Sequence, residues 1–132
     1  TAAGTMVIDG YAHHPTEMMA TLKTAREMDY DRIICVFQPH TYSRTKALLP
    51  EFIEALKLCD KAILADIYAA REQNTYGISS KDIADALDGG EYYDSFEKIE
   101  ARLLEIAQPG DLIITMGAGN VNAIGPAICA GE

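Results

Sequence analysis

Arg32-Ile-Ile-Cys-Val-Phe37 decides the fold: behind one arginine it is continuously apolar, with no alternation of polar and apolar residues. A strand with one wet face alternates, whereas a strand covered on both faces reads as an unbroken β-branched and aliphatic run. Met6-Val-Ile8, Ala62-Ile-Leu-Ala65 and Leu112-Ile-Ile-Thr-Met116 have the same character, and Tyr92-Tyr93 is a candidate short strand. Helical spacing fills the gaps. Pro15 suits the first turn of a helix running to about Met28 with Met18, Leu22 and Ala25 on one face. Leu48, Leu49, Phe52, Ile53 and Leu56 mark a second helix, whose regular part begins near Pro50. Ser79 or Ser80 caps a third containing Ile83, Ala84 and Leu87, with Asp82 as a capping-box partner of Ser79. Phe96, Ile99, Leu103 and Ile106 space a fourth, and Val121 to Ala130 reads as a closing helix. Strands alternating with helices imply right-handed crossovers. The expected fold is a Rossmann-like, doubly wound, mostly parallel sheet of five or six strands with helices on both faces.

The chain of 132 residues fits one domain, able to bury roughly two-thirds of its unfolded surface. No apolar run approaches the ~20 residues of a membrane helix, and no secretory pattern opens the sequence. A first strand close to the start, with no initiator Met, leads us to expect a piece of a longer chain. The net charge of −9 repels phosphate backbones and anionic lipid, so neither nucleic acid nor membrane is an expected partner. A small anion held by a few local cations is compatible with that charge. Cys35, Cys59 and Cys129 are widely spaced and odd in number, which reads as buried free thiols in a reducing cytosol.

In a doubly wound sheet, ligands bind beyond the carboxyl ends of the strands. The segments there are Asp9-Gly-Tyr-Ala-His-His14, Gln38-Pro-His-Thr-Tyr-Ser-Arg44, Asp66-Ile-Tyr68 through Glu72, and Gly117-Ala-Gly-Asn120, and they hold all three histidines. His13, His14 and His40 could be read as a zinc site, but adjacent histidines rarely chelate one ion, and nothing completes a tetrahedron. Polar loop histidines that bind ligand or cap a helix are the better reading, and His14 before Pro15 suits a structural role. Arg44 follows a strand and a polar turn, so its fork can reach an anion; on spacing alone it serves equally as a surface arginine near a glutamate. Lys46, inside the following helix start, reads as solvated. Gly117-Ala-Gly119 suits a tight turn more than a phosphate nest, and lacks the third glycine of the dinucleotide fingerprint. No triphosphate loop of the Gly-x-x-x-x-Gly-Lys type is present, and no nucleophilic triad stands out. Spacing alone gives an anion-recognising α/β domain.

Asp9-Gly-Tyr-Ala-His-His-Pro-Thr-Glu17 resembles the Asp-Asp-Tyr-Gly/Ala-His-His-Pro-Thr-Glu signature of the Mur ligases. Phe37-Gln-Pro-His-Thr-Tyr-Ser-Arg-Thr-Lys46, Asp66-Ile-Tyr-Ala-Ala-Arg-Glu72 and Pro109-Gly-Asp-Leu-Ile-Ile-Thr-Met-Gly-Ala-Gly119 are similar to further blocks of that family, in family order. The first two blocks together resemble the members that attach L-alanine to UDP-N-acetylmuramate rather than those that attach a preformed peptide. The resemblance implies the carboxy-terminal domain of a three-domain cytoplasmic enzyme, residues 1–132 forming that single domain. An amino-terminal domain would bind the UDP-sugar, and a central domain would hold most of the ATP and Mg²⁺. The family reaction activates the lactyl carboxylate as an acyl phosphate, which the amine of L-alanine attacks; the carboxy-terminal domain swings over the central one and shields it from water.

The resemblance also places residues. Tyr11, His13, His40 and Arg44 match positions expected to hold the amino acid or the new amide, with Arg44 on the alanine carboxylate. Asp9 and Gly10 lie in the stretch facing the nucleotide, and Gly10 replaces the usual second Asp. Thr41 stands where many members carry a second arginine. The domain alone is expected to have no catalytic residues, metal or cofactor of its own, and no ligase activity. Two other readings fit the sequence less well. A stand-alone module binding a nucleotide-linked sugar or amino acid conflicts with four collinear blocks, and an oligomerisation domain leaves the polar strand ends unexplained.

Overall fold

The computed structural model describes residues 6–10, 12–117, 121 and 124, with Asp9 described through its backbone alone. Five parallel strands form one sheet: β1 Met6–Asp9, β2 Arg32–Gln38, β3 Lys61–Leu64, β4 Glu91–Tyr92 and β5 Asp111–Gly117, in the order β1-β5-β2-β3-β4. The helices are α1 Pro15–Arg26, α2 Tyr42–Ala47, α3 Leu49–Leu56, α4 Ser80–Asp85 and α5 Phe96–Ile106. The expected doubly wound parallel sheet is therefore present, with the fourth strand one residue earlier than Tyr92-Tyr93. The expected closing helix at 121–130 lies largely outside the described residues.

The period of two along β2 explains its unbroken apolar run. Ile33, Cys35 and Phe37 face one core with Leu112, Ile114 and Met116 of β5, under α1, α3 and α4. Ile34 and Val36 face the other with Ile113, under Ile99 and Leu103 of α5 and the segment containing Val121 and Ile124. Phe37 and Phe52 are fully buried, with ring centroids 5.2 Å apart. Burying each such side chain contributes about 1.5–3 kcal/mol.

Local chemistry ends the helices where the sequence indicates. Thr16 N–H donates to His14 Nδ1 at 3.2 Å, so His14 caps α1 ahead of Pro15. Ser79 and Asp82 form a reciprocal capping box on α4. Ser80 is buried and instead donates its hydroxyl to the Ala65 carbonyl. At the opposite end of the sheet, Arg32 forks onto the buried Asp111 carboxylate at 2.7 and 3.2 Å, locking β2 to β5. Cys35 is buried and Cys59 partly buried, both free; Cys129 lies outside the described residues. Among the described residues no helix is long and apolar enough to cross a membrane.

The topology positions the site. The first three crossovers run through α1, α2–α3 and α4 on one face, and α5 returns on the other. β5 is thereby inserted between β1 and β2, and the chain leaves it toward the face opposite α1. In sheets of this kind such a divergence marks the crevice where ligands bind, here beyond the carboxyl ends of β1, β5 and β2.

Candidate functional site

The loop after β2 and the loop after β3 are joined into one unit. Tyr68 N–H donates to the Pro39 carbonyl at 2.8 Å, and Thr41 N–H donates to the Tyr68 carbonyl at 2.8 Å. These bonds form a parallel bridge between His40 and Tyr68, whose rings stack with centroids 5.8 Å apart and planes 16° apart. Thr41 then turns the chain with φ 62° and ψ 148°, a conformation L-residues rarely adopt. Its hydroxyl caps α2 by accepting from Arg44 N–H at 3.4 Å, while its carbonyl accepts from the Thr45 hydroxyl at 2.6 Å.

Arg44 therefore projects from the first turn of a short helix, where the sequence reading had a polar turn. Glu72 lies against the same turn. Its carboxylate accepts the Ser43 amide at 3.0 Å and, through its second oxygen, the Ser43 hydroxyl. The Ser43 hydroxyl and then the Ser43 amide hold the Glu72 carboxyl below its usual range, with a smaller contribution from the charge of nearby His40. The nearby glutamate that would make Arg44 an ordinary surface residue is present, but it is bound to Ser43.

The chain's cations sort themselves by this test. Arg26, Arg32, Lys57, Lys61, Lys98 and Arg102 are all ion-paired. Lys23, Lys46, Arg71 and Lys81 have no ion-pair partner among the described residues and are exposed. Arg44 alone is both partly buried and without an ion pair or hydrogen bond to its guanidinium among the described residues. A half-buried guanidinium without an intramolecular partner among the described residues, just beyond the carboxyl end of β2, has the chemistry to receive a carboxylate or phosphate.

The other expected site residues divide. His40 stands with Arg44 on the joined loops. His13 follows β1, two strand positions away across β5, about 10 Å at the usual strand spacing. It is exposed, with Nδ1 4.0 Å from Glu17 Oε1. Tyr11 lies outside the described residues. Gly10 continues β1, its N–H donating to the Thr115 carbonyl at 2.6 Å. A Cβ there would sit 3.1 Å from that oxygen and 3.2 Å from Met116 Cγ, so position 10 directs a side chain against β5. Of the Gly117-Ala-Gly119 turn, only Gly117 is described. Its φ is 116°, and a Cβ would collide with the Gln38 carbonyl, so close approach of β2 requires glycine there.

Among the described residues no group of three or more His, Cys, Asp or Glu side chains is arranged to hold a metal. A depression of about 490 Å³ lies between α1 and α3, away from the strand ends, and is lined by Pro15, Thr16, Met19, Lys23, Pro50 and Glu54 among others. A smaller one of about 290 Å³ lies beside the joined loops, reaching Tyr42, Asp66 and Asn74. Sequence reasoning gave no role to Tyr68 or Glu72. Their signal was their place in the segment after β3, but their partners are more than 25 residues away in sequence.

Residues 1–119 match the family described as "Mur ligase, glutamate ligase domain", and the chain belongs to it. Among its relatives, UDP-N-acetylmuramate–L-alanine ligase of Agathobacter rectalis is 59% identical over 92% of this chain. The enzyme of the same name from Caldicellulosiruptor saccharolyticus is 50% identical over 90%. The chain spans 28% and 27% of the lengths of those two relatives. In three dimensions it is similar to the UDP-N-acetylmuramate-alanine ligase of Thermotoga maritima, with a TM-score of 0.77, 23% identity, and coverage of 98% of this chain and 27% of that one. A ligase domain from Haemophilus ducreyi gives a TM-score of 0.74 at 21% identity, covering 98% of this chain and 92% of that chain. At these identities the structural likeness establishes the fold.

Proposed function

We propose that this chain is the amino-acid-binding, active-site-closing domain of a cytoplasmic ATP-dependent ligase that joins L-alanine to UDP-N-acetylmuramate in peptidoglycan precursor synthesis. It works with a central and an amino-terminal domain of the same polypeptide. The observation that carries the reading is the half-buried, unpaired Arg44 guanidinium just beyond the carboxyl end of β2, in a chain 59% identical to an enzyme of that name. Arg44 donates two parallel, charge-assisted hydrogen bonds to the alanine carboxylate. His40, stacked on Tyr68, and His13 across β5 would flank the amino acid from its two sides, and Tyr11 is assigned to the same pocket from its place in the signature. Asp9 and Gly10 belong to the loop that meets the nucleotide on closure.

Bound ATP with Mg²⁺ would supply the phosphoryl group that activates the sugar's lactyl carboxylate. The described residues here form no metal-holding cluster. That site belongs, in this reading, to the central domain. This domain's part is to bring in the amine, hold it by its carboxylate, and exclude water. The full-length enzyme should release phosphate only when UDP-N-acetylmuramate, ATP and L-alanine are all present, and this domain alone should release none. Arg44→Ala should weaken alanine use by about 10- to 150-fold, the worth of a charged hydrogen bond of ~1.5–3 kcal/mol, chiefly in KM. An unchanged dependence on alanine would remove Arg44 from the site.

A further inference from the structure

We propose that Glu72 is a positioning residue for the amino acid, acting through Arg44; the proposal rests on the functional reading above. α2 has only six residues and buries only Thr45, so core packing does little to fix its orientation. What fixes it is the loop after β3. The two oxygens of Glu72 take the amide and the hydroxyl of Ser43, one residue before Arg44. The Tyr68 backbone holds Thr41 in its left-handed turn from the other side. A guanidinium that binds a carboxylate with two parallel bonds is sensitive to a shift of well under 1 Å in its anchor. Glu72 itself is not a substrate ligand, because its carboxylate is occupied by Ser43 and would repel the alanine carboxylate. Its work is to set the α2 turn, and with it the direction from which Arg44 reaches the crevice. Ala70, at φ 55° between Tyr68 and Glu72, bends the loop so that both can contact the β2 loop at once.

The test uses the full-length ligase and four variants: Glu72→Ala, Glu72→Gln, Arg44→Ala and the Glu72→Ala/Arg44→Ala pair. Glu72→Ala should raise the alanine KM about 5- to 30-fold, leaving the KM for ATP within about twofold, as expected for loss of one or two positioning hydrogen bonds. Glu72→Gln keeps an acceptor for the Ser43 amide and should return the alanine KM to within about threefold of the parent. In the Arg44→Ala background, Glu72→Ala should add less than about twofold, because the residue it positions is gone. Three results overturn the proposal: an alanine KM that stays within twofold in Glu72→Ala, a Gln variant as damaged as Ala, or effects that multiply fully in the double variant. If Glu72→Ala does not fold, Ser43→Ala, alone and combined with Arg44→Ala, runs the same cycle from the other partner. Failure of the parent enzyme to use L-alanine at all would sink the functional reading instead, so the two failures are distinguishable.

Discussion

Replacing Glu91 by Gln tests how a two-residue edge strand is held in place, and the size of the effect can be worked from its contacts. The Glu91 carboxylate receives Lys61 Nζ at 2.6 Å, Arg102 Nε at 2.9 Å and Nη2 at 3.0 Å, and the Tyr93 hydroxyl at 2.5 Å. It thereby ties β4 to both β3 and α5. Partial burial opposes its ionisation, but Arg102, Lys61 and Tyr93 outweigh that and lower it from 4.5 to about 2. A folded value below the unfolded one gives stability that is fully present above about pH 4.5 and lost as pH falls toward 2. At ~1.36 kcal/mol per pH unit the contribution is about 3 kcal/mol at pH 7, about 1.4 at pH 3 and about 0.4 at pH 2. Glu91→Gln should therefore lower the unfolding free energy of the domain by about 1.5–3 kcal/mol at pH 7. For 132 residues that corresponds to about 5–10 °C in melting temperature. Urea unfolding of the two proteins at pH 7, 4 and 3 is the assay, and the gap should shrink by more than half over that range. A gap below about 0.5 kcal/mol at pH 7, or one that does not change with pH, would refute the account.

Three further outcomes are expected. Arg32→Met leaves the buried Asp111 with the Gln108 amide, 2.9 Å away, as its main partner, and should cost about 3 kcal/mol in urea unfolding, the low end for a broken buried pair because Arg32 is partly solvated. Ser79→Ala removes the acceptor of the Lys81 amide and half of the α4 capping box, so melting should report a loss of about 0.5–2 kcal/mol. Gly10→Asp places a Cβ against the Thr115 carbonyl and Met116, and should destabilise the domain by about 1 kcal/mol, with Gly10→Ala separating bulk from charge. A stabilised Asp variant would show that the loop has room for the acidic side chain, and would favour a direct role for it at the nucleotide.

What the sequence revealed follows from where structure is determined locally. β2 and β5 are buried at nearly every position, so their apolar runs stand out, and α1, α3 and α5 each present an apolar stripe to a core. α2 has no such stripe. Tyr42, Ser43, Arg44 and Lys46 leave nothing periodic to read, and the helix exists because Thr41 and Glu72 satisfy its first turn. The insertion of β5 between β1 and β2 was equally hidden, since strand order depends on which faces the crossovers cover. The candidate site was legible as a set of strand-end loops, because in this fold the position of a loop follows from the strand before it. That Arg44 is free and Glu72 is not depends on which carboxylate each cation meets in space, which spacing along the chain does not encode.

The two non-glycine residues with positive φ among the described ones are Thr41 and Ala70, and both lie in the joined loops. Each costs on the order of 1–3 kcal/mol. Nothing in the core demands them, since both stand outside the buried clusters. Glycine at either place would remove most of the cost, yet it would also free the backbone where Arg44 and His40 must hold a fixed direction. Strain of this kind persists where surrounding contacts over-determine the chain, and here they do. The Thr41 amide, hydroxyl and carbonyl are all engaged, and Tyr68 bonds through both amide and carbonyl. In a chain of net charge −9, one unpaired guanidinium attracts an anion only weakly at long range. On the proposed function its usefulness would depend on being correctly aimed at short range, and the strained, doubly bonded loops would supply that aim.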